Sequence, residues 1–221
     1  MSEQKWKTWW EDHADPETFL QVQQPRTMMV RRIIYDMMKN ILQPGESVLD
    51  VACGAAVDYS PITEMGFKWI GVDMTRKFVD YVRNTFGAEM HHMDVSKGLK
   101  LKTKAVTMSY AKDLFEHLGP SEWKGVVREM WRVSDKYMVL SFFKPPDGKH
   151  TEYKKVTAKE NPETAGVYSN NYNKEEWVSY LQGLPGVHTI SVKESVMYRK
   201  RWAHPKGYSI WLVKRRDKPV E

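Results

Sequence analysis

Five short apolar runs fall between residues 48 and 143, with helical stretches and polar turns between them. Val48–Val51, Trp69–Asp73, Ala88–His92, Ala105–Tyr110 and Tyr137–Phe143 are rich in β-branched and aromatic residues, the composition of buried strands. Asp58–Met65, Lys77–Phe86 and Ser121–Trp131 carry apolar residues at helical spacing, and Gly66 and Gly87 stand where the first two must end. Strand alternating with helix is the pattern of an α/β, doubly wound, mostly parallel sheet with helices on both faces. Two later strands, Val187–Met197 and Tyr208–Lys214, are joined by a loop and predict an antiparallel hairpin, which brings the sheet to seven strands with an antiparallel C-terminal edge strand.

The remaining segments fit around that sheet. Residues 1–43 are read as an N-terminal helical cap. Asp15 is the N-cap of one helix with Pro16 in its first turn, and Pro25 opens the next, which ends at Gln43-Pro44-Gly45. The cap's Trp6, Trp9, Trp10 and methionines serve either as core or as a flap over the first strand's turn. Residues 44–143 form the core, 144–173 a loop insertion, and 174–221 a helix capped by Asn173 with the strand pair. All of it is one domain, since 221 residues suit one large α/β unit. A single cysteine, Cys53, excludes an internal disulfide and a cysteine-cluster metal site, and no metal is expected. No apolar run approaches the ~20 residues of a membrane helix, and the first residues carry no apolar signal core. A cytoplasmic protein without a membrane partner is the expectation. The formal charge of +6 permits nucleic-acid binding without requiring it.

The first strand runs into Ala52-Cys53-Gly54-Ala55-Ala56, a turn of small residues that lets backbone come close to a ligand. In open parallel sheets, ligands bind beyond the carboxyl ends of the strands. Acids stand at three of those ends: Asp50, Asp73 and Asp94. A carboxylate ending the second strand is placed to accept hydrogen bonds from both ribose hydroxyls. Asp94 could accept from an exocyclic amine such as that of adenine, or act as a helix N-cap. A single glycine in the first turn is poor for a pyrophosphate, which favours a nucleoside cofactor without phosphate.

These residues resemble the motifs of the class I S-adenosylmethionine-dependent methyltransferases, small-molecule type. Val48-Leu49-Asp50-Val51-Ala52-Cys53-Gly54-Ala55-Ala56 is similar to their first motif, usually Val-Leu-Asp-Val-Gly-Cys-Gly-Thr-Gly. Gly71-Val72-Asp73-Met74, His92-Met93-Asp94-Val95 and Leu114-Phe115-Glu116-His117-Leu118 resemble the motifs that follow, over roughly residues 25–143. The resemblance implies a Rossmann-like fold and S-adenosyl-L-methionine as cofactor, with S-adenosyl-L-homocysteine as product. By position, Ala52, Cys53 and Gly54, with Asp50 behind them, would lie beside the methionine part. Asp73 would hold the ribose, and Met74 would flank the adenine. Asp94, with Val95, would meet the adenine amine, and Ala111, Lys112 and Asp113 would floor the site. Alanine replaces the family's first and third glycines at Ala52 and Ala56, and alanine resists positive φ.

Methyl transfer from a sulfonium is an in-line displacement, in which the protein aligns the nucleophile and removes its proton if needed. His117 is the candidate base, with Asp113 beside it in sequence. The irregular stretch after the fifth strand suits an acceptor pocket, with Tyr168, Asn171 and Tyr172 there and Trp10 and His13 from the N-terminus. The expected activity is transfer to an oxygen or nitrogen atom of a small molecule. Two alternatives stand beside it. One is an RNA methyltransferase using the basic-aromatic Arg199-Lys200-Arg201-Trp202 and Lys214-Arg215-Arg216. The other is a cofactor-binding module without catalysis.

Overall fold

A computed structural model describes residues 5–161, 164–197 and 206–215. The basic-aromatic run at residues 199–202 and Arg216 lie outside the described residues. Two helices come first, α1 (Lys5–His13) and α2 (Pro16–Ile41). Strands and helices then alternate as β1 (Ser47–Val51), α3 (Tyr59–Glu64), β2 (Lys68–Asp73), α4 (Arg76–Phe86), β3 (Met90–His92), β4 (Val106–Lys112), α5 (Trp123–Val133) and β5 (Ser134–Phe142). Helix α6 (Lys174–Gln182) and strands β6 (Val187–Met197) and β7 (Lys206–Arg215) complete the order. Single 3-10 turns at Val95–Lys97 and Phe115–His117 follow β3 and β4.

The expected caps form. Asp15 accepts the Thr18 N–H at the start of α2, Asn173 accepts the Glu176 N–H at the start of α6, and Gly87 closes α4 at φ 61°. Most boundaries shift by one to three residues, and one element differs outright from the sequence reading. Pro25 does not open a helix, because α2 runs unbroken from Pro16 to Ile41. Proline lacks the N–H and restricts the residue before it, which is why a break was expected. A capped N-terminus and a buried C-terminal half, with Val30, Ile34 and Met38 fully inside, override that local preference.

The seven strands form one sheet in the order β3-β2-β1-β4-β5-β7-β6. Strands β1 to β5 are mutually parallel, and β7 pairs antiparallel with both β5 and β6. The C-terminal hairpin thus supplies the antiparallel edge, with β7 inserted beside β5 and β6 outermost. Successive strand residues point to opposite faces. Val48, Val139 and Ile210 join α2, α3 and α4 in one core, whereas Leu49, Leu140 and Trp211 join α5 and α6 in the other. Trp123, Trp177 and Trp211 are fully buried in the latter, so much of the tryptophan content is core mass. Residues 144–173 fold back on themselves through isolated bridges (Gly148 to Asn173, Glu152 to Asn171, Lys155 to Tyr168) and pack against the 3-10 turn after β4.

Among the described residues, no helix is long and apolar enough to cross a membrane.

Candidate active site

Strands β3, β2, β1 and β4 lie side by side, so the loops at their carboxyl ends face one cavity of about 160 Å³. The turn after β1 is built from left-handed backbone. Ala52, Gly54 and Ala56 have φ of 58°, 56° and 58°. The two alanines therefore adopt the conformation that the family's glycines would adopt freely. Their Cβ atoms make this costly, at about 1–2 kcal/mol for each residue, against about 0.5–1 kcal/mol of extra chain entropy for glycine. Ala52→Gly and Ala56→Gly are each expected to stabilise the fold, by about 0.5–1 kcal/mol, reversing the usual sign of an alanine-to-glycine change. Urea unfolding of the single variants checks this; a lowered midpoint would remove the strain argument.

Asp73 ties the turn to β2. Its carboxylate accepts the Gly54 N–H at 2.9 Å and the Thr75 N–H at 2.8 Å. Burial raises its pKa, and these two amides oppose the rise. Asp50 is buried beneath the turn and accepts the Trp69 indole N–H at 3.1 Å. Burial and the neighbouring Asp58 carboxylate raise its pKa well above the carboxylate range. Burial also pushes the Cys53 thiol up, so it stays protonated and unreactive.

Asp94 has both oxygens engaged as the cap of its 3-10 turn. It accepts from the Ser96 N–H at 3.1 Å, the Ser96 hydroxyl at 2.6 Å and the Lys7 ammonium at 2.9 Å. Burial acts to raise its pKa, but the hydroxyl and the ammonium outweigh it and hold Asp94 below its ordinary value. Lys7 also pairs with Glu122 at 3.0 Å, and Glu11 accepts the Arg76 N–H at 3.0 Å. These links lay α1 across the cavity mouth.

Of the sequence-predicted residues, Trp10, Asp50, Ala52, Cys53, Gly54, Asp73, Met74, Asp94, Val95, Lys112, Asp113 and His117 all line the cavity. The other five do not. Ala111 is fully buried within β4. His13 stacks on Trp9, with ring centroids 4.6 Å apart, and is hydrogen-bonded to the Trp9 carbonyl. Asn171 pairs through its backbone with Glu152. Tyr168 and Tyr172 are buried with the 144–173 segment, and the Tyr172 hydroxyl donates to the Phe115 carbonyl at 2.6 Å. Aromatic side chains in that segment turn inward because they cover the apolar face of α5 and α6, where Tyr172 meets Trp123 and Trp177 edge-on.

His117 lies half-buried at the β4 side of the cavity, with the Trp10 ring edge-on at 5.6 Å. Its Nδ1–H donates to the Tyr168 carbonyl at 2.8 Å, which leaves Nε2 as the nitrogen with a lone pair. Burial lowers its pKa, so the ring is neutral at physiological pH. Asp113 is also left-handed, at φ 56°; one carboxylate oxygen pairs with Lys112, and the other has no hydrogen-bond partner among the described residues. Glu116 is fully buried, and burial together with Asp113 raises its pKa to about 8. Folded Glu116 therefore keeps its proton well above the pH at which the unfolded chain releases it. Its contribution to stability is complete in acid and is lost as the pH rises toward about 8. Thermal unfolding from pH 5 to 8 should show Glu116→Gln with a flatter pH dependence than wild type; parallel profiles would contradict it.

The sequence reading missed Phe19, Arg31, Val57, Asp58, Thr75, Phe78, Met93, Leu114 and Leu118 in the lining. The Phe19 ring lies against Gly54, so close that a Cβ there would stand 3.0 Å from it. Arg31 pairs with Asp58, which also accepts the Tyr35 hydroxyl and, at 3.4 Å, the Tyr110 hydroxyl. The signal available for Arg31 was a cation on the same helical stripe as the buried Ile34 and Met38. Among the described residues, no group of three or more His, Cys, Asp or Glu side chains could hold a metal ion. Arg215, part of the second basic run, donates to the Ser134 and Trp131 carbonyls and covers the Trp131 ring, so it is used inside the fold.

A parallel sheet with turns after β1 to β4 that face one cavity, and a hairpin edge, is a Rossmann-like architecture, in which ligands bind beyond the strand ends. Residues 48–136 match a family described as a methyltransferase domain. No curated protein sequence matches the chain. Among solved structures, magnesium protoporphyrin IX methyltransferase from Synechocystis, with S-adenosylhomocysteine bound, aligns at a TM-score of 0.64 and 15% identity, covering 96% of this chain and 92% of that one. An S-adenosylmethionine-dependent methyltransferase from Methanosarcina mazei aligns at 0.63 and 15%, covering 81% and 96%. The 1,6-didemethyltoxoflavin-N1-methyltransferase of Burkholderia thailandensis, with its acceptor and S-adenosylhomocysteine bound, aligns at 0.63 and 14%, covering 84% and 78%. Residues 48–136 thus resemble a methyltransferase domain, and the chain shares the fold of these S-adenosylmethionine-dependent methyltransferases.

Proposed function

We propose that the protein transfers a methyl group from S-adenosyl-L-methionine to an oxygen or nitrogen atom of a small-molecule acceptor, releasing S-adenosyl-L-homocysteine. The observation that carries this reading is the Asp73 carboxylate. It stands at the end of β2, buried, and is bonded to the backbone of the left-handed turn that the family's first motif occupies. The lining fits the cofactor's parts. The Asp73 carboxylate, which also accepts from the Thr75 side chain, keeps acceptor capacity for the ribose hydroxyls. Met74, Phe78, Met93 and Val95 offer an apolar wall for the adenine, with Asp94 at its edge. Ala52, Cys53 and Gly54 admit the methionine part, above Asp50. When bound, the cofactor supplies an activated methyl on a sulfonium, which leaves the protein to position the acceptor and manage its proton.

On this reading, Trp10, Lys112, Asp113 and His117 face the acceptor. His117 Nε2 takes the acceptor's proton, and the unpartnered Asp113 oxygen receives a hydrogen bond from the acceptor or stabilises the imidazolium. His117→Gln should lower transfer by about 10²–10⁴-fold while leaving cofactor affinity near wild type. The four segments proposed from the sequence then divide the work. The helices of residues 1–43 cover the cavity, 44–143 bind the cofactor, 144–173 back the base, and the rest completes the sheet. Two of the structural neighbours act, by their names, on magnesium protoporphyrin IX and 1,6-didemethyltoxoflavin, and such small molecules are the acceptors to try first.

The deciding experiment incubates the full chain with methyl-labelled S-adenosylmethionine and fractionated cell extract. Label in a small-molecule fraction supports the reading. Label in RNA would replace it with the nucleic-acid alternative. Tight S-adenosylhomocysteine binding with no label anywhere would leave a non-catalytic module.

A further inference from the structure

The Phe115–His117 3-10 turn and Leu118 after it are gripped from behind by residues 168–172 of the long loop. The Tyr172 hydroxyl donates to the Phe115 carbonyl at 2.6 Å. The Asn170 backbone N–H donates to the Glu116 carbonyl at 2.9 Å, and its side-chain amide donates to the Leu118 carbonyl at 2.7 Å. Asn170 therefore bonds to the residues on both sides of His117. Two positions earlier, the Tyr168 carbonyl takes the His117 Nδ1–H at 2.8 Å. Asn170 is fully buried and also donates to the Tyr172 hydroxyl at 3.2 Å, which fixes its amide nitrogen by the acceptors around it.

We propose that Asn170 is a positioning residue for His117: by holding the carbonyls on either side of it, Asn170 sets the ring so that Nδ1–H meets the Tyr168 carbonyl and Nε2 keeps its lone pair. The inference rests on the reading of His117 as the base, but its geometric half does not depend on the reaction. An exposed neutral histidine shifts between two tautomers, so a base needs its second nitrogen held. Here a backbone carbonyl does the holding, and a carbonyl is only as well placed as the loop that carries it. That loop is closed on itself by isolated bridges, and Asn170 supplies two of its bonds to the turn bearing the base. Residues beside the ring also act on its charge. Asp113 favours the imidazolium, Lys144 opposes it, and burial is the larger effect. The neutral acid Glu116 lies next in sequence and accepts the Lys144 N–H at 3.1 Å.

The test uses the ligand-free full chain, labelled with ¹⁵N, and follows the imidazole nitrogens by NMR through a pH titration. The His117 signals are assigned by their loss in His117→Gln. In wild type, His117 should show a single Nδ1–H tautomer and titrate below the ordinary histidine value of about 6.5. In Asn170→Ala it should show mixed tautomers and titrate lower still, because the Tyr168 carbonyl bond that favours the charged ring is weakened. Leu181→Ala, which removes a buried side chain from α6, serves as a destabilised control and should leave the His117 titration in place. If Asn170→Ala does not fold, Asn170→Ser takes its place, with the same expected shift. A wild-type tautomer and titration in the folded Asn170 variant would overturn the proposal and leave Asn170 a packing residue. Failure of the methyltransferase reading would show elsewhere, as no label transferred to a small molecule by the wild-type chain, and failure of His117 as base as transfer unaffected in His117→Gln.

Discussion

Asp73→Ala should weaken S-adenosylhomocysteine binding by at least ~100-fold, as measured by titration calorimetry. Three losses combine. Each hydrogen bond to a carboxylate contributes about 1.5–3 kcal/mol, and Asp73 holds the Gly54 and Thr75 amides. Without it, the left-handed turn loses its tie to β2, and the ligand's ribose loses its acceptor. A tenfold change needs about 1.4 kcal/mol, so losing the ribose contacts and one structural bond already reaches the stated factor. Asp73→Asn separates the parts. Its amide can still accept through one oxygen, so binding should fall less than in the alanine variant. An affinity unchanged within a few-fold in Asp73→Ala would show that the ligand lies elsewhere, whatever happened to stability.

The second large effect is on folding. Asp58→Ala leaves the Arg31 guanidinium inside the protein without its carboxylate, and such broken buried pairs cost about 3–5 kcal/mol. Burial alone would lower the Arg31 pKa; Asp58 more than restores it, so Arg31 is held in its charged form by the partner. The Tyr35 and Tyr110 hydroxyls would lose their acceptor as well. For a chain of this size about 1 kcal/mol corresponds to roughly 2–4 °C, so the melting temperature should drop by about 6–20 °C. Replacing both partners, Arg31→Met with Asp58→Leu, should recover most of that loss, because an apolar pair leaves no uncompensated charge. A double variant as unstable as Asp58→Ala would mean that the cost comes from the tyrosines instead.

The sheet was legible because its signals are local. Strand composition, the glycine stops of α3 and α4 and the Asp15 and Asn173 caps each act within a few residues. The turn after β1 and the acids after β2 and β3 were legible for the same reason, since strand ends are fixed once the strands are. Arg31 and Asp58 were not, because a buried ion pair between α2 and the turn is a long-range contact that no short pattern encodes. Phe19 was hidden likewise. The aromatic residues of the 144–173 loop misled in the opposite direction. Tyr168 and Tyr172 read as pocket walls, yet the apolar faces of α5 and α6 needed cover and took them. Only packing decides which side of a loop an aromatic ring turns to.

The position of β7 has a consequence for synthesis. It is the last strand in chain order, yet it lies between β5 and β6 and buries Trp211 and Val213 in the sheet's interior. A ribosome that has delivered β1 to β5 has therefore made a sheet with a raw edge at β5, and β6 has no neighbour to pair with until β7 emerges. Folding of the second half waits for the final strand, through contacts that are antiparallel but mostly distant from β5. Loss of that strand would remove the joint between two halves of the sheet, and the nascent chain would expose an unpaired edge of the kind that recruits other chains.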